Sequence, residues 1–272
     1  MNAGLPALYR DAALYDLIHM GGTGDEVWLL DHLAQRHGNG GKTALEPACG
    51  SGRYLAGLLR RGWTVTGYDL STEMVKFARA RLSRWGKKET IVRGEMTSFR
   101  SKKKFDLVFN LLSTFRHLMT DRQALAHLRL SAQALNPGGV YILGLDLTLY
   151  GEDLPDEEVW TTWSRGREVR HVMMTLPPGK KRRRERIINF VDSGGKLLES
   201  SYDLRSYDAV QLKALLERSP FQLECCYGYD GRPAVLGGPQ RALWLVLKGS
   251  PQALAASARR RSRASTRREK AR

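Results

Sequence analysis

Gly50 and Gly52, within Glu46-Pro47-Ala48-Cys49-Gly50-Ser51-Gly52, join a short apolar run to an amphipathic segment. Such a junction needs a tight backbone turn, and glycine there leaves room for a ligand to approach the main chain. A pair of glycines alone fits an empty turn as well. Asp69 adds a second element, because it ends the next apolar run 19 residues after Gly50. That is close to the ~20-residue offset at which an acid meets ribose hydroxyls in dinucleotide folds. A carboxylate there can accept from both vicinal hydroxyls, although it also stands near the helix start at Ser71. A dinucleotide site prefers a third small residue three places after its second glycine, and here that place holds Leu55. Glu46, at the mouth of the turn, would repel a pyrophosphate and attract a cation, unless it merely caps a nearby turn. Together these residues point to a nucleoside ligand with a positive charge.

Such groups need a scaffold that delivers them to one edge. Residues 43–49, 64–68, 91–93, 105–111 and 140–147 are short apolar runs, and 53–61, 72–85 and 122–135 are helical in pattern. This alternation is the signature of beta-alpha-beta units around a parallel sheet. Ser71 and Asp121 occupy N-cap positions, and Asn136-Pro137-Gly138-Gly139 predicts a stop and turn before the fifth strand. Upstream, Ala12, Leu14, Leu17 and Ile18, then Val27 to Leu33, recur at helical spacing. Downstream, residues 169–176, 184–191 and 197–204 predict three antiparallel strands joined by Pro-Gly and Gly-Gly turns. A helix over 208–218 and a strand pair, 221–227 with 242–247, follow. The expected organisation is a helical lid over 1–41, a ligand-binding core over 42–150, an inserted antiparallel sheet over 151–207, the rest of the core over 208–249, and a basic disordered tail over 250–272.

The composition of the 272-residue chain, 42% hydrophobic and 26% charged, supports one large domain or a domain with a subdomain. Cys49, Cys225 and Cys226 have no metal-ligand spacing, so no metal is expected, and a reducing, cytoplasmic compartment is the simplest reading. No run reaches the ~18 apolar residues of a membrane span, and the N-terminus lacks a signal-peptide pattern. Much of the net charge of +16 lies in two stretches: residues 259–272 contribute +7 and 180–186 contribute +5. The first reads as a solvated arm able to touch nucleic acid without sequence preference, the second as charge that blunts a strand edge.

Five motifs, in order, give the chain a resemblance to the class I S-adenosylmethionine-dependent methyltransferase family, small-molecule type, over about residues 13–248. Glu46 to Gly52 resembles that family's first motif and Tyr68-Asp69-Leu70-Ser71 its second. Arg93-Gly94-Glu95-Met96 is similar to its adenine-side motif, Phe105 to Asn110 to its fourth strand, and Leu135 to Gly139 to the turn before its fifth. The resemblance implies an α/β Rossmann-like methyltransferase fold: a mostly parallel seven-stranded sheet with helices on both faces and an inserted small antiparallel β-subdomain. It implies S-adenosyl-L-methionine as cofactor, with Ala48, Gly50 and Gly52 approaching its amino-acid part beside Glu46, and Asp69 on the ribose. Leu70 and Met74 would flank adenine, Glu95 and Met96 would contact its edge or face, and Asn110 would offer backbone to the methionine end. Ala48 stands where the family commonly has Gly, and Glu95 where it has Asp. Tyr15-Asp16 resembles a lid segment whose Tyr covers the cofactor; an aromatic that packs the helix onto the domain fits equally.

Methyl transfer is an in-line displacement that needs alignment and exclusion of water more than acid or base. His117, after the fourth strand at the carboxyl edge of the sheet, is the candidate base or substrate contact, although its spacing among Phe115, Leu118 and Met119 also fits a packed histidine. Tyr202 to Tyr207 and Tyr227 to Gly231 resemble segments of family members whose inserted sheet covers the substrate, and that resemblance implies Arg205, Tyr207 and Tyr229 on the substrate side, with strand packing as the alternative. After the fourth strand, Asn110-Leu111-Leu112-Ser113 lacks the proline pair and aromatic of enzymes that methylate base amines. No Cys next to Pro serves a cytosine mechanism. The expected reaction is methylation of N or O on a small-molecule acceptor. The alternatives are an RNA or protein methyltransferase guided by the basic tail, and a nonenzymatic binder of cofactor and nucleic acid.

Overall fold

The computed structural model describes residues 5–249 apart from Arg165 and Lys180. The expected basic tail therefore lies outside the described residues. A 3-10 segment, Ala7–Arg10, leads into helices α1 (Ala12–His19) and α2 (Thr23–His37). The core then alternates β1 (Thr43–Pro47), α3 (Arg53–Arg60), β2 (Thr64–Asp69), α4 (Thr72–Leu82), β3 (Glu89–Arg93), β4 (Phe105–Asn110), α5 (Asp121–Ala134) and β5 (Leu135–Asp146). Four strands follow, β6 (Asp156–Ser164), β7 (Arg167–Leu176), β8 (Arg184–Ser193) and β9 (Leu197–Arg205). Helix α6 (Ala209–Glu217) and strands β10 (Phe221–Gly228), β11 (Pro233–Ala234) and β12 (Ala242–Gly249) complete the chain.

The main sheet runs β11-β10-β12-β5-β4-β1-β2-β3, parallel from β5 to β3 and antiparallel at the β12 side. Seven of these strands match the expected sheet, and the two-residue β11 adds an eighth at the edge. Both faces are covered, which explains why the central strands read as continuous apolar runs. Leu107 and Phe109 of β4 pack under α2, α3 and α4, whereas Val108 packs under α5 and α6. The two-residue period of a strand divides the core between the two layers.

Three local expectations change. The second sheet, β6-β7-β8-β9, has four strands because Asp156–Ser164 pairs with β7 along its whole length. Its run of acids and threonines concealed it as a strand. Asn136 to Gly139 does not precede β5 but forms an irregularity within it: pairing with β4 jumps from Phe105↔Leu135 to Leu107↔Val140. Thr120, not Asp121, caps α5, with Thr120 Oγ1 accepting from Gln123 N and the Gln123 side chain returning to Thr120 N. Ser71 does cap α4, accepting from Met74 N.

The N-terminal elements tie the two sheets together. Leu8 and Ile18 pack with Val169 and Val191 of the second sheet, and Leu8 N donates to Ser200 Oγ at 3.1 Å. On the core side, Ser51 Oγ donates to Asp16 at 2.6 Å, Arg81 pairs with the same carboxylate, and Ser71 Oγ donates to Tyr9 O. Among the described residues no helix is long and apolar enough to cross a membrane, and no His, Cys, Asp or Glu cluster could hold a metal.

Candidate active site

At the carboxyl ends of β1 and β2 the chain makes the turn that the glycines foretell. Gly50 has φ +52° and Ala48 φ +53°, so an alanine is held in the left-handed region that favours glycine. The positive φ accounts for the glycine, since a Cβ at residue 50 would meet the Tyr15 ring at an ordinary 3.6 Å. Gly52 differs. A Cβ there would lie 3.1 Å from Ala78 Cβ, so this glycine allows α3 to pack on α4 and does not line the cleft.

Asp69 bridges the two loops. One carboxylate oxygen accepts from Gly50 N and the other from Ser71 N, both at 2.8 Å. Burial pushes its acid up, while these backbone donors pull it back. The remaining lone pairs stay available to hydroxyl donors.

Glu46, 5% exposed at the end of β1, has an oxygen, Oε2, that is buried without a hydrogen-bond partner. Burial raises its pKa well above the carboxylate range, against the opposing field of Arg53. It borders a chamber of about 30 Å³ together with Tyr15, Ala48, Gly50 and Asn110. An orphaned buried acceptor next to a main-chain turn suits an ammonium donor.

Asn110 ends β4 and is held from two sides. Its Nδ2 donates to Pro47 O at 2.7 Å, and its Oδ1 lies 2.9 Å from His127 Nε2 and 2.8 Å from Tyr141 Oη. The side chain is thus fixed by its protein partners. Sequence reasoning missed His127, because a histidine inside an amphipathic helix has no distinguishing pattern until β4 lies beneath it.

The chamber adjoins a cleft of about 680 Å³. Tyr15, Ala48, Gly50, Asp69, Leu70 and Met74 line it, with Glu95, Met96 and His117. Thus of the twelve residues assigned to cofactor or catalysis, all but Gly52 border one or both cavities. Tyr15 stacks on His19 at 4.1 Å and lies over the turn, so it combines covering and packing.

His117 lies in the 3-10 segment Thr114–His117, with Nε2 3.2 Å from Tyr9 Oη. Desolvation, then the neighbouring Arg116 charge, lowers its pKa to about 4, so the ring is neutral near pH 7.

The three residues expected on the substrate side, Arg205, Tyr207 and Tyr229, do not line this cleft. Tyr207 is fully buried in the core under α5 and α6, and the Arg205 guanidinium turns to Asp121. Tyr229 packs edge-to-face on Trp244. On β9 it is Tyr202 and Leu204 that face the cleft, together with Ser201. Strand alternation places Arg205 on the side opposite Leu204. Tyr9, also absent from the sequence expectation, joins them from the N-terminal segment.

Residues 44–139 match the model of the family described as methyltransferase domain. The match covers the parallel core from β1 to the start of β5. Over 135 residues the chain is 32% identical to dTDP-3-amino-3,6-dideoxy-alpha-D-glucopyranose N,N-dimethyltransferase of Streptomyces fradiae, covering 48% of this chain and 51% of that protein. It is 30% identical to the dTDP-3-amino-3,4,6-trideoxy-alpha-D-glucopyranose N,N-dimethyltransferase of Streptomyces venezuelae, covering 48% and 55%. The chain thus spans about half the length of the curated relatives it matches. The solved structure of Streptomyces venezuelae DesVI superposes with a TM-score of 0.69 at 23% identity, over 88% of this chain and 98% of that one. CcbJ from Streptomyces caelestis gives 0.71 at 17% identity, over 89% and 98%. These likenesses extend the methyltransferase fold across both sheets.

Proposed function

We propose that the methyltransferase domain uses S-adenosyl-L-methionine to methylate an amine nitrogen of a small-molecule acceptor. The partnerless Glu46 oxygen carries this reading, because it adjoins the Gly50 turn and the ribose-competent Asp69 carboxylate. Bound there, S-adenosyl-L-methionine supplies a methyl group made electrophilic by its sulfonium. Glu46 would hold the ammonium, Asp69 the ribose hydroxyls, and Leu70 and Met74 the adenine faces. Glu95, which already accepts from Thr97 Oγ1, and Met96 would border the adenine. Tyr15 covers the turn and, with the N-terminal segment, keeps water out, which strengthens each of these electrostatic contacts.

The preference for nitrogen over oxygen draws on the relatives, both named as aminosugar N,N-dimethyltransferases. A neutral amine reacts without a strong base, and the weakly basic His117 is compatible with that. His117 would act as an acceptor contact. The lid, core, inserted sheet and tail expected from the sequence would divide the labour: covering, cofactor binding, acceptor binding and nonspecific charge.

Calorimetry with S-adenosylhomocysteine tests the cofactor. Binding by the intact chain, weakened at least about tenfold by Asp69→Ala, is expected. Radiolabelled methyl transfer to a panel of small amines and to RNA, with and without residues 250–272, tests the acceptor. Full turnover of a small amine without the tail is the expected result, and labelling of RNA alone would reverse it.

A further inference from the structure

Tyr9, Tyr202 and His117 come from the N-terminal segment, β9 and the stretch after β4, yet they form a closed triangle at one end of the cleft. Ring centroids lie 5.3 Å apart for Tyr9 and Tyr202, 5.4 Å for His117 and Tyr202, and 5.7 Å for Tyr9 and His117. All three border the cleft. Burial raises both phenols and depresses His117, so the three rings are uncharged near neutral pH.

The surroundings favour a cation. Among the described residues the cleft is lined by the acids Asp69 and Glu95 and by no Lys or Arg. Arg116, next in sequence to His117, is 3% exposed and is neutralised by Glu185 at 2.6 Å, with its Nε donating to Arg205 O. A site for an anionic group would keep a guanidinium free, and this wall keeps none.

We propose that Tyr9, Tyr202 and His117 form an aromatic seat for the acceptor's amino group, and that the seat binds nitrogen most tightly when it carries positive charge. The inference rests on the N-methyltransferase reading above. In that reaction the nitrogen lone pair forms the new N–C bond as the C–S bond breaks, and the C–S pair stays on sulfur. The positive charge passes to nitrogen, whose proton then leaves to water. A π face beside that nitrogen attracts it more as the bond forms, which is binding gained in the transition state and not in the ground state. Tyr202 and Tyr9 thereby become determinants of acceptor class that select basic amines over alcohols of the same shape.

The test uses choline and 3,3-dimethylbutan-1-ol, a pair equal in shape and different in charge. Binding of each is measured by ligand-observed NMR, with and without S-adenosylhomocysteine. Choline is expected to bind about tenfold or more tighter than the alcohol. Tyr202→Phe should keep that preference, because the ring remains, and Tyr202→Leu should lose most of it. Equal binding of the two probes to the intact chain overturns the proposal. So does an unchanged preference in both Tyr202→Leu and Tyr9→Leu. A chain that prefers choline but does not bind S-adenosylhomocysteine counts against the cofactor reading and leaves the seat supported.

Discussion

The Asp69 carboxylate holds Gly50 N at 2.8 Å, and this bond connects the strand that carries the acid to the turn that would carry the ligand. The acid therefore has two tasks, to shape the turn and to receive hydroxyls. Asp69→Ala should weaken S-adenosylhomocysteine by about 1.5–3 kcal/mol, the scale of hydrogen bonds to a charged group. It should also lower the thermal midpoint, since Gly50 N and Ser71 N lose their acceptor together. Asp69→Asn should restore part of the midpoint but less of the affinity, as a neutral acceptor is the weaker one.

Burial raises the Glu46 acid well above its ordinary value of 4.5. A bound ammonium favours the ionised form, so any proton the free acid retains leaves as the ligand enters. Affinity for S-adenosylhomocysteine should accordingly rise with pH until Glu46 is ionised in the free state. Glu46→Gln should flatten that dependence and weaken binding about tenfold or more. Calorimetry in buffers of different ionisation enthalpy reads the released proton directly, and a wild-type chain that releases none contradicts the assignment.

His117, at about 4, is too weak a base to retain a proton taken from an ammonium. The rate with an amine acceptor should follow that acceptor's own ionisation, with no inflection near 6.5, the ordinary histidine value. His117→Ala should cost less than the ~100-fold or more that loss of a general base brings. A wild-type limb near 6.5 that disappears in His117→Ala would instead make this ring the base.

His127 stands at about 4 because burial disfavours its charged form, although Met96 O, within hydrogen-bond reach of Nδ1, opposes the shift. The unfolded chain protonates near 6.5, so the contribution of this neutral ring is complete above that pH and declines as pH falls toward about 4. The slope is at most about 1.4 kcal/mol per pH unit for each such histidine. Denaturant midpoints in the intact chain should fall on acidification across this window. His127→Gln should start lower, since Asn110 and Tyr141 lose a partner, and decline less steeply.

Periodicity and punctuation determined the alternating core, because both depend only on neighbouring residues. Apolar runs marked each parallel strand, glycines marked the turn after β1, and Ser71 marked the start of α4. Most of the residues proposed to hold the cofactor were legible as one group: Glu46, Ala48, Gly50 and Asp69 stand at the ends of two strands whose place at one sheet edge follows from the parallel order itself.

The grouping of Tyr9, His117 and Tyr202 was decided by tertiary structure alone. Tyr9 and His117 lie 108 residues apart along the chain, Tyr202 belongs to the other sheet, and the three meet only where the N-terminal segment docks on both sheets. Local patterning cannot say which face of β9 turns inward, so Arg205 reads as well as Tyr202 until the register with β8 places them. A one-residue step along a strand reverses the side chain's direction, and pairing with a distant partner is what chooses the step.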